Sequence, residues 1–183
     1  MTRFRVPIKS AVAALILSVT MGAAQEARLD PLFDLLREAE GAAASEIEAK
    51  IWEEWSRSGS DSMDFLLERG RKALEDGDPA LAIEHFTALI DHAPDWAEAY
   101  NARATAYFQA GLYGPSLADI RETLARNPRH FGALGGLGLI FEEIGEPEGA
   151  LEAYRAVEEI YPHREGLAET IRRLERSVEG EDI

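Results

Sequence analysis

Apolar residues recur along most of the chain at helical spacing. Leu66, Gly70 and Ala73 fall at i, i+4 and i+7, and so do Tyr100, Ala104 and Tyr107, and Leu134, Gly138 and Phe141. This spacing puts each set on one face of an amphipathic α-helix. A glycine follows each set, at Gly77, Gly111 and Gly145, and predicts the helix end. Proline then opens a second helix, at Pro79 and Pro147 in matching places and at Pro115 two residues later. Proline suits a first helical turn, where its missing N–H has no partner to lose. The second helix has its own small-then-large face, Ala82, Phe86 and Leu89 in the first instance, and Pro94, Pro128 and Pro162 end the pairs.

The pairs share one period of 34 residues. It is kept by Pro94, Pro128 and Pro162, by Gly77, Gly111 and Gly145, and by the small residues Gly70, Ala104 and Gly138. Ala82, Ser116 and Ala150 keep it, as do the larger Phe86, Ile120 and Tyr154. Five columns in one register predict an all-α solenoid of stacked helix-turn-helix units. The pattern resembles the tetratricopeptide repeat over units 63–96, 97–130 and 131–164. The family asks for a large residue fourth, a small one eighth, small ones twentieth and twenty-seventh, an aromatic twenty-fourth and proline thirty-second. Departures are mild: Ala73 stands where a large eleventh residue is usual, and Leu89, Thr123 and Val157 stand where alanine is usual.

The flanks fit a capped stack. Leu167, Ile171, Leu174 and Val178 lie on one face of a helix predicted over 165–178, with Arg172, Arg173, Glu175 and Arg176 elsewhere. A terminal unit needs such a polar-backed cap. The tail 179–183 is expected to be disordered. Ahead of the repeats, over 25–62, Leu32, Leu35, Leu36 and Ala39 predict one helix, and Ile47, Ile51, Trp52 and Trp55 a second. Counted back by 34, Leu32, Leu36 and Trp52 occupy the fourth, eighth and twenty-fourth places. The pair therefore reads either as a degenerate repeat capping the front of the stack or, given the serine- and glycine-rich linker 56–62, as a separate arm.

The first 24 residues change the picture of where the protein works. Arg3, Arg5 and Lys9 precede an apolar run over 11–19, and small residues end at Ala24. This is the layout of a secretory signal peptide, with cleavage expected between Ala24 and Gln25. The run is shorter than the roughly 18 residues a spanning helix needs. The expected destination is the bacterial periplasm. The leader holds three of 19 basic and none of 34 acidic residues, so the remainder has 16 basic against 34 acidic side chains, a net −18. Such a surface disfavours nucleic acid, which demands concentrated positive charge. There is no cysteine, which excludes disulfides, thiolate metal sites and a lipidated cysteine.

No catalytic, cofactor-binding or metal-binding set emerges. Of His85, His92, His130 and His163, the last two fall at successive inter-repeat turns, but no HExxH or histidine-rich cluster completes a metal site. Gly132, Gly135, Gly136 and Gly138 lack the spacing and the lysine of a phosphate loop. Gly138 is the small residue that the repeat asks for. The others point either to tight packing, the favoured reading, or to an open patch for a ligand backbone.

The resemblance implies a concave groove lined by the first helix of each unit, at positions two, five, nine and twelve. Carried over, these are Asp64, Leu67, Arg71 and Leu74, then Glu98, Asn101, Thr105 and Phe108, then Gly132, Gly135, Leu139 and Glu142. The partner-binding set expected to matter is Leu67, Arg71, Leu74, Asn101, Thr105, Phe108, Gly135 and Leu139. Asn101 suits a peptide backbone, and Leu74 with Phe108 suits an apolar anchor. Family members that clamp the acidic tails of heat-shock chaperones use lysine and asparagine at fixed places. Those places read Leu67, Arg71, Ala102, Gly132 and Gly136 here, which argues against such a clamp. Trp96, at a unit boundary, reads as a packing residue. The resulting expectation is a non-enzymatic periplasmic scaffold or adaptor that holds a protein or peptide. The rival readings are a self-associating structural subunit and, a distant third, a metal-dependent enzyme.

Overall fold

The computed structural model describes residues 25–180. The leader expected at 1–24 and the last three residues of the tail lie outside the described residues. Among the described residues there are nine helices and no strand. α1 covers 25–38, followed by α2 (Gly41–Trp55), α3 (Asp61–Glu75), α4 (Pro79–His92), α5 (Ala97–Gln109), α6 (Tyr113–Arg126), α7 (Phe131–Glu143), α8 (Pro147–Ile160) and α9 (Leu167–Glu179). α3 pairs with α4, α5 with α6 and α7 with α8, each pair stacks on the next, and α9 covers α8. None of these helices is long and apolar enough to cross a membrane.

The turns inside the pairs are built alike. Gly77, Gly111 and Gly145 have φ of 77°, 72° and 77°, a left-handed conformation that L side chains rarely adopt. At each, the glycine N–H returns to the carbonyl three residues back (Gly77 to Leu74, 3.1 Å), and the next N–H reaches five back (Asp78 to Ala73, 2.8 Å). These two bonds satisfy the last carbonyls of the first helix. Asp78 then accepts a 3.0 Å hydrogen bond from the Leu81 N–H and caps α4 with Pro79 at its first turn.

Packing inside a unit turns on one pair of columns. A Cβ at Gly70 would stand 2.2 Å from the Phe86 ring, and one at Gly138 would stand 2.7 Å from that of Tyr154. In the middle unit the aromatic is replaced by Ile120, and the facing small residue is Ala104, both in one buried cluster. The small residue therefore shrinks to glycine where an aromatic ring crosses it. Gly70→Ala is expected to destabilise the protein by about 1–3 kcal/mol, the usual cost of overpacking, even after alanine's gain in helix propensity. Adding Phe86→Ile should recover much of the loss in a urea titration. An unchanged midpoint for the single variant would show that the ring moves aside freely.

The N-terminal pair neither caps the front of the stack nor stands apart. Its apolar face, Leu29, Phe33, Leu36, Ile51 and Trp55, joins the cluster of Phe131, Tyr154 and Tyr161 at the third unit. The aromatic chemistry explains the choice. Phe131 meets Phe33 at 6.5 Å, Trp52 at 5.8 Å and Trp55 at 4.9 Å between ring centroids. Arg129 lies over the Phe33 ring at 4.4 Å and bonds Asp30 at 2.8 Å, tying α1 to the turn before α7. The front helix α3 is left with a largely polar outer surface, interrupted by Phe65, which is 61% exposed.

Candidate peptide-binding groove

α3, α5 and α7 form one face of the stack, and α2 runs along its edge, over the N-terminal ends of α5 and α7. Trp96, the residue before α5, donates its Nε1–H to the Trp55 carbonyl at 2.9 Å. His130, the residue before α7, lies under the Trp55 ring at 4.1 Å and 14°. His130 Nδ1 accepts a 3.1 Å hydrogen bond from the Ala133 N–H and so caps α7. A nitrogen that accepts carries no proton, so the ring is the Nε2–H tautomer, and Nε2 donates to Glu98 at 3.0 Å.

Glu98 is the hub of this edge. Its side chain is 3% exposed, a costly place for a carboxylate unless its oxygens are occupied. Oε2 accepts from His130 and from Asn101 Nδ2 at 3.1 Å, and Oε1 accepts from Arg71 Nη2 at 2.8 Å. The same Arg71 nitrogen reaches Ser56 Oγ at 2.9 Å, which fixes the linker after α2. One buried carboxylate thus joins α3, α5 and the turn before α7, and through Arg71 the linker after α2.

Two hollows follow on this face and share Asn101 and Thr105. The first, about 670 Å³, lies between α2 and α3–α5, against Trp52, Glu53, Glu68, Arg71 and Leu74. The second, about 400 Å³, lies between α5, α7 and the turn into α9, against Phe108, Gly135, Leu139, Arg164 and Thr170. Of the eight residues expected to meet a partner, Arg71 and Leu74 line the first hollow, Phe108, Gly135 and Leu139 the second, and Asn101 and Thr105 both. Leu67 lines neither. It is 1% exposed, in the core with Phe86 and Leu89, and offers a partner no surface. Asn101 is buried and turned to Glu98, not free for a peptide backbone, whereas Thr105 is exposed.

A tetratricopeptide repeat family model matches residues 67–114 and 115–165. The chain belongs to the tetratricopeptide repeat family. It is 36% identical over 154 residues to a TPR repeat-containing protein of Rhizobium etli, covering 84% of this chain and 76% of that one. It is 31% identical over 117 residues to the small glutamine-rich tetratricopeptide repeat-containing protein 2 of Saccharomyces cerevisiae, covering 64% of this chain but 34% of that protein. Among solved structures, the first TPR of Spaghetti (RPAP3) bound to the HSP90 peptide SRMEEVD is similar in fold. Its TM-score is 0.61 at 23% identity, over 64% of this chain and 93% of that one. MamA is similar with a TM-score of 0.60 at 21% identity, over 78% and 86%.

Within this repeat frame, the glycines of α7 are explained by what crosses them. A Cβ at Gly132 would stand 2.5 Å from Trp52, and one at Gly135 would stand 2.9 Å from the Arg164 guanidinium. Gly138 faces Tyr154, and at Gly136 the nearest atom, on Ile120, is 3.7 Å away. Close packing against rings therefore accounts for Gly132 and Gly138, the neighbour at Gly135 is the movable end of an arginine, and Gly136 is roomy. Tyr154 holds its proton more tightly than an ordinary tyrosine, because burial and its 2.9 Å hydrogen bond to Glu142 both oppose ionisation.

Among the described residues, no three His, Asp or Glu side chains gather as metal ligands would. His130 and His163 do not meet: the first is engaged with Glu98, and the second is on the surface 3.6 Å from Glu40. The period-34 column that holds Trp96, His130 and Arg164 is a signal that the sequence carried. All three sit at inter-repeat turns and reach over the groove edge or floor.

Proposed function

We propose that this protein is an exported, non-enzymatic scaffold of the bacterial periplasm that holds an extended peptide or protein segment on the face between α3, α5 and α7. The observation that carries the reading is the continuity of the two hollows through the exposed Thr105. Export is supported by the basic-then-apolar order of residues 1–24. A peptide is the ligand in one similar fold, RPAP3 with its HSP90 peptide, and the similar TPR2B domain of yeast Sti1 is in complex with pHsp70. An acidic heat-shock tail suits this groove poorly, because Arg71 is already engaged by Glu98, and Ala102, Gly132 and Gly136 bring no charge.

Self-association is the second reading, favoured by Phe65 at the front of the stack. The Trp52–Trp55 segment does not supply that surface, since both rings are packed within the fold.

Site-specific photo-crosslinking in intact cells tests the groove. A probe at Thr105 is expected to give a discrete adduct with another protein. The matched control is Arg121, whose side chain is 79% exposed on α6. Asp119, which the repeat pattern puts on the outer helix, is unsuitable because it is 5% exposed and bound to Arg103. Adducts at Arg121 but not at Thr105 would refute the groove. A self-adduct alone would favour the second reading.

A further inference from the structure

Gly136 stands in open space in the middle of α7. The nearest atom to a Cβ there, on Ile120, is 3.7 Å away, an ordinary contact that alanine would satisfy. Glycine is the poorest helix former after proline, so at this place it weakens α7 with no gain in packing. What the missing side chain leaves is a way inward. Gly136 lines the second hollow, about 400 Å³, whose floor is Ala104, Ser116, Ile120 and Ile140. None of these four is more than 3% exposed, so the hollow narrows toward the core between α5, α6 and α7. Ser116 donates its hydroxyl to the Ala104 carbonyl at 2.8 Å, which leaves the floor chemically apolar.

The rim is different. Arg164 lines the same hollow, with its guanidinium over Gly135. Among the described residues it has no carboxylate within 4 Å and no side-chain hydrogen bond. This occurs in a chain with 34 acidic and 19 basic residues, where a cation finds an acid easily. The acid that lines the hollow, Glu165, is exposed beside it. A guanidinium without a partner suits one carboxylate, which it grips through paired, charge-assisted hydrogen bonds. The floor selects what that carboxylate is attached to. A peptide backbone would bring N–H and C=O groups that the floor cannot pair, a costly burial. A polymethylene chain brings none and is slender enough to pass where a side chain is missing.

We propose that the second hollow is a binding site for a free straight-chain fatty acid, its tail passing Gly136 toward Ile120 and Ile140 and its carboxylate on Arg164. This is a small-molecule ligand, separate from the peptide assigned to the open face, and it goes beyond that reading.

Equilibrium dialysis of the full chain against decanoate tests it, with octanoate and decyltrimethylammonium as comparators. Decanoate is expected to occupy one site per chain with a Kd below about 1 mM. Octanoate, two methylenes shorter, should bind about fifteen-fold weaker where both methylenes are buried. Decyltrimethylammonium has the same tail and a cationic head. It should bind at least about ten-fold weaker than decanoate, although the acidic surface of the chain favours a cation. Arg164→Gln should abolish the preference for the anion. Gly136→Leu should fill the entrance and abolish decanoate binding, while circular dichroism shows a folded helical protein. If Gly136→Leu does not fold, Arg164→Gln and the head-group comparison decide. No decanoate binding up to about 1 mM overturns the proposal. So does equal binding of the two head groups, equal binding of the two chain lengths, or decanoate binding that either folded variant leaves unchanged. A Thr105 adduct with a protein, found together with any of these failures, leaves the peptide groove standing. Decanoate binding through Gly136 and Arg164 without a Thr105 adduct upholds this site and removes the peptide.

Discussion

Trp55→Ala is expected to lower stability by about 3–5 kcal/mol, the range for deleting a buried tryptophan side chain. Trp55 is 3% exposed and touches the rings of Phe33, Trp52, His130 and Phe131, so its loss empties the junction between α1–α2 and the repeats. The damage should be local before it is global, because solenoid units hold mainly to their neighbours. Hydrogen exchange is therefore expected to rise most over 25–55, with α4 to α6 least affected. Trp55→Phe should cost far less: among the described residues, Trp55 Nε1 is a buried donor without an acceptor, and phenylalanine removes it. Urea unfolding decides the matter, and a loss under about 1 kcal/mol for the alanine variant would show that the junction is not what holds the N-terminal pair in place.

Asp119→Ala is expected to be of similar size, about 3–5 kcal/mol, for an electrostatic reason. Arg103 donates to Asp119 through Nε at 2.7 Å and Nη2 at 2.9 Å, and its Nη1 reaches Thr87 at 3.1 Å. The two side chains are 17% and 7% exposed, so neither is well solvated. The strong pairing also holds the Arg103 guanidinium in its protonated form more firmly than usual. Removing the carboxylate leaves a mostly buried cation, whereas replacing both partners with apolar residues removes the problem together with the pair. The double variant Arg103→Met, Asp119→Leu should therefore be much closer to the parent than Asp119→Ala alone. If the double variant is as unstable as the single one, packing and not charge governs this position.

The repeats were legible because their signal is local and recurs. Gly77, Gly111 and Gly145 each end a helix with positive φ, and the columns that start at Gly70 and Phe86 face each other as their sizes require. The N-terminal pair was legible as helices but not in its placement. Leu32 and Trp52 match repeat positions well enough to suggest a front cap, yet what positions the pair is Phe131 and His130, far along the chain. The groove residues were legible as a face. The buried Glu98 network was not, since nothing in the repeat pattern shows that Arg71 of the first unit and Glu98 and His130 of the second meet at one carboxylate. Leu67 failed because the same register position points into the core in the first unit, next to Phe86.

The pairing of small and large residues inside each unit bears on how such a chain can grow or be recombined. A whole unit can be duplicated, because Ala104 travels with Ile120 and Gly138 with Tyr154. Half-units cannot be exchanged freely. A first helix bearing alanine joined to a second helix bearing Tyr154 would place a methyl group inside the ring. Insertion, deletion and shuffling in this lineage are therefore expected to have their seams between units, at Pro94, Pro128 and Pro162, and not at the glycine turns.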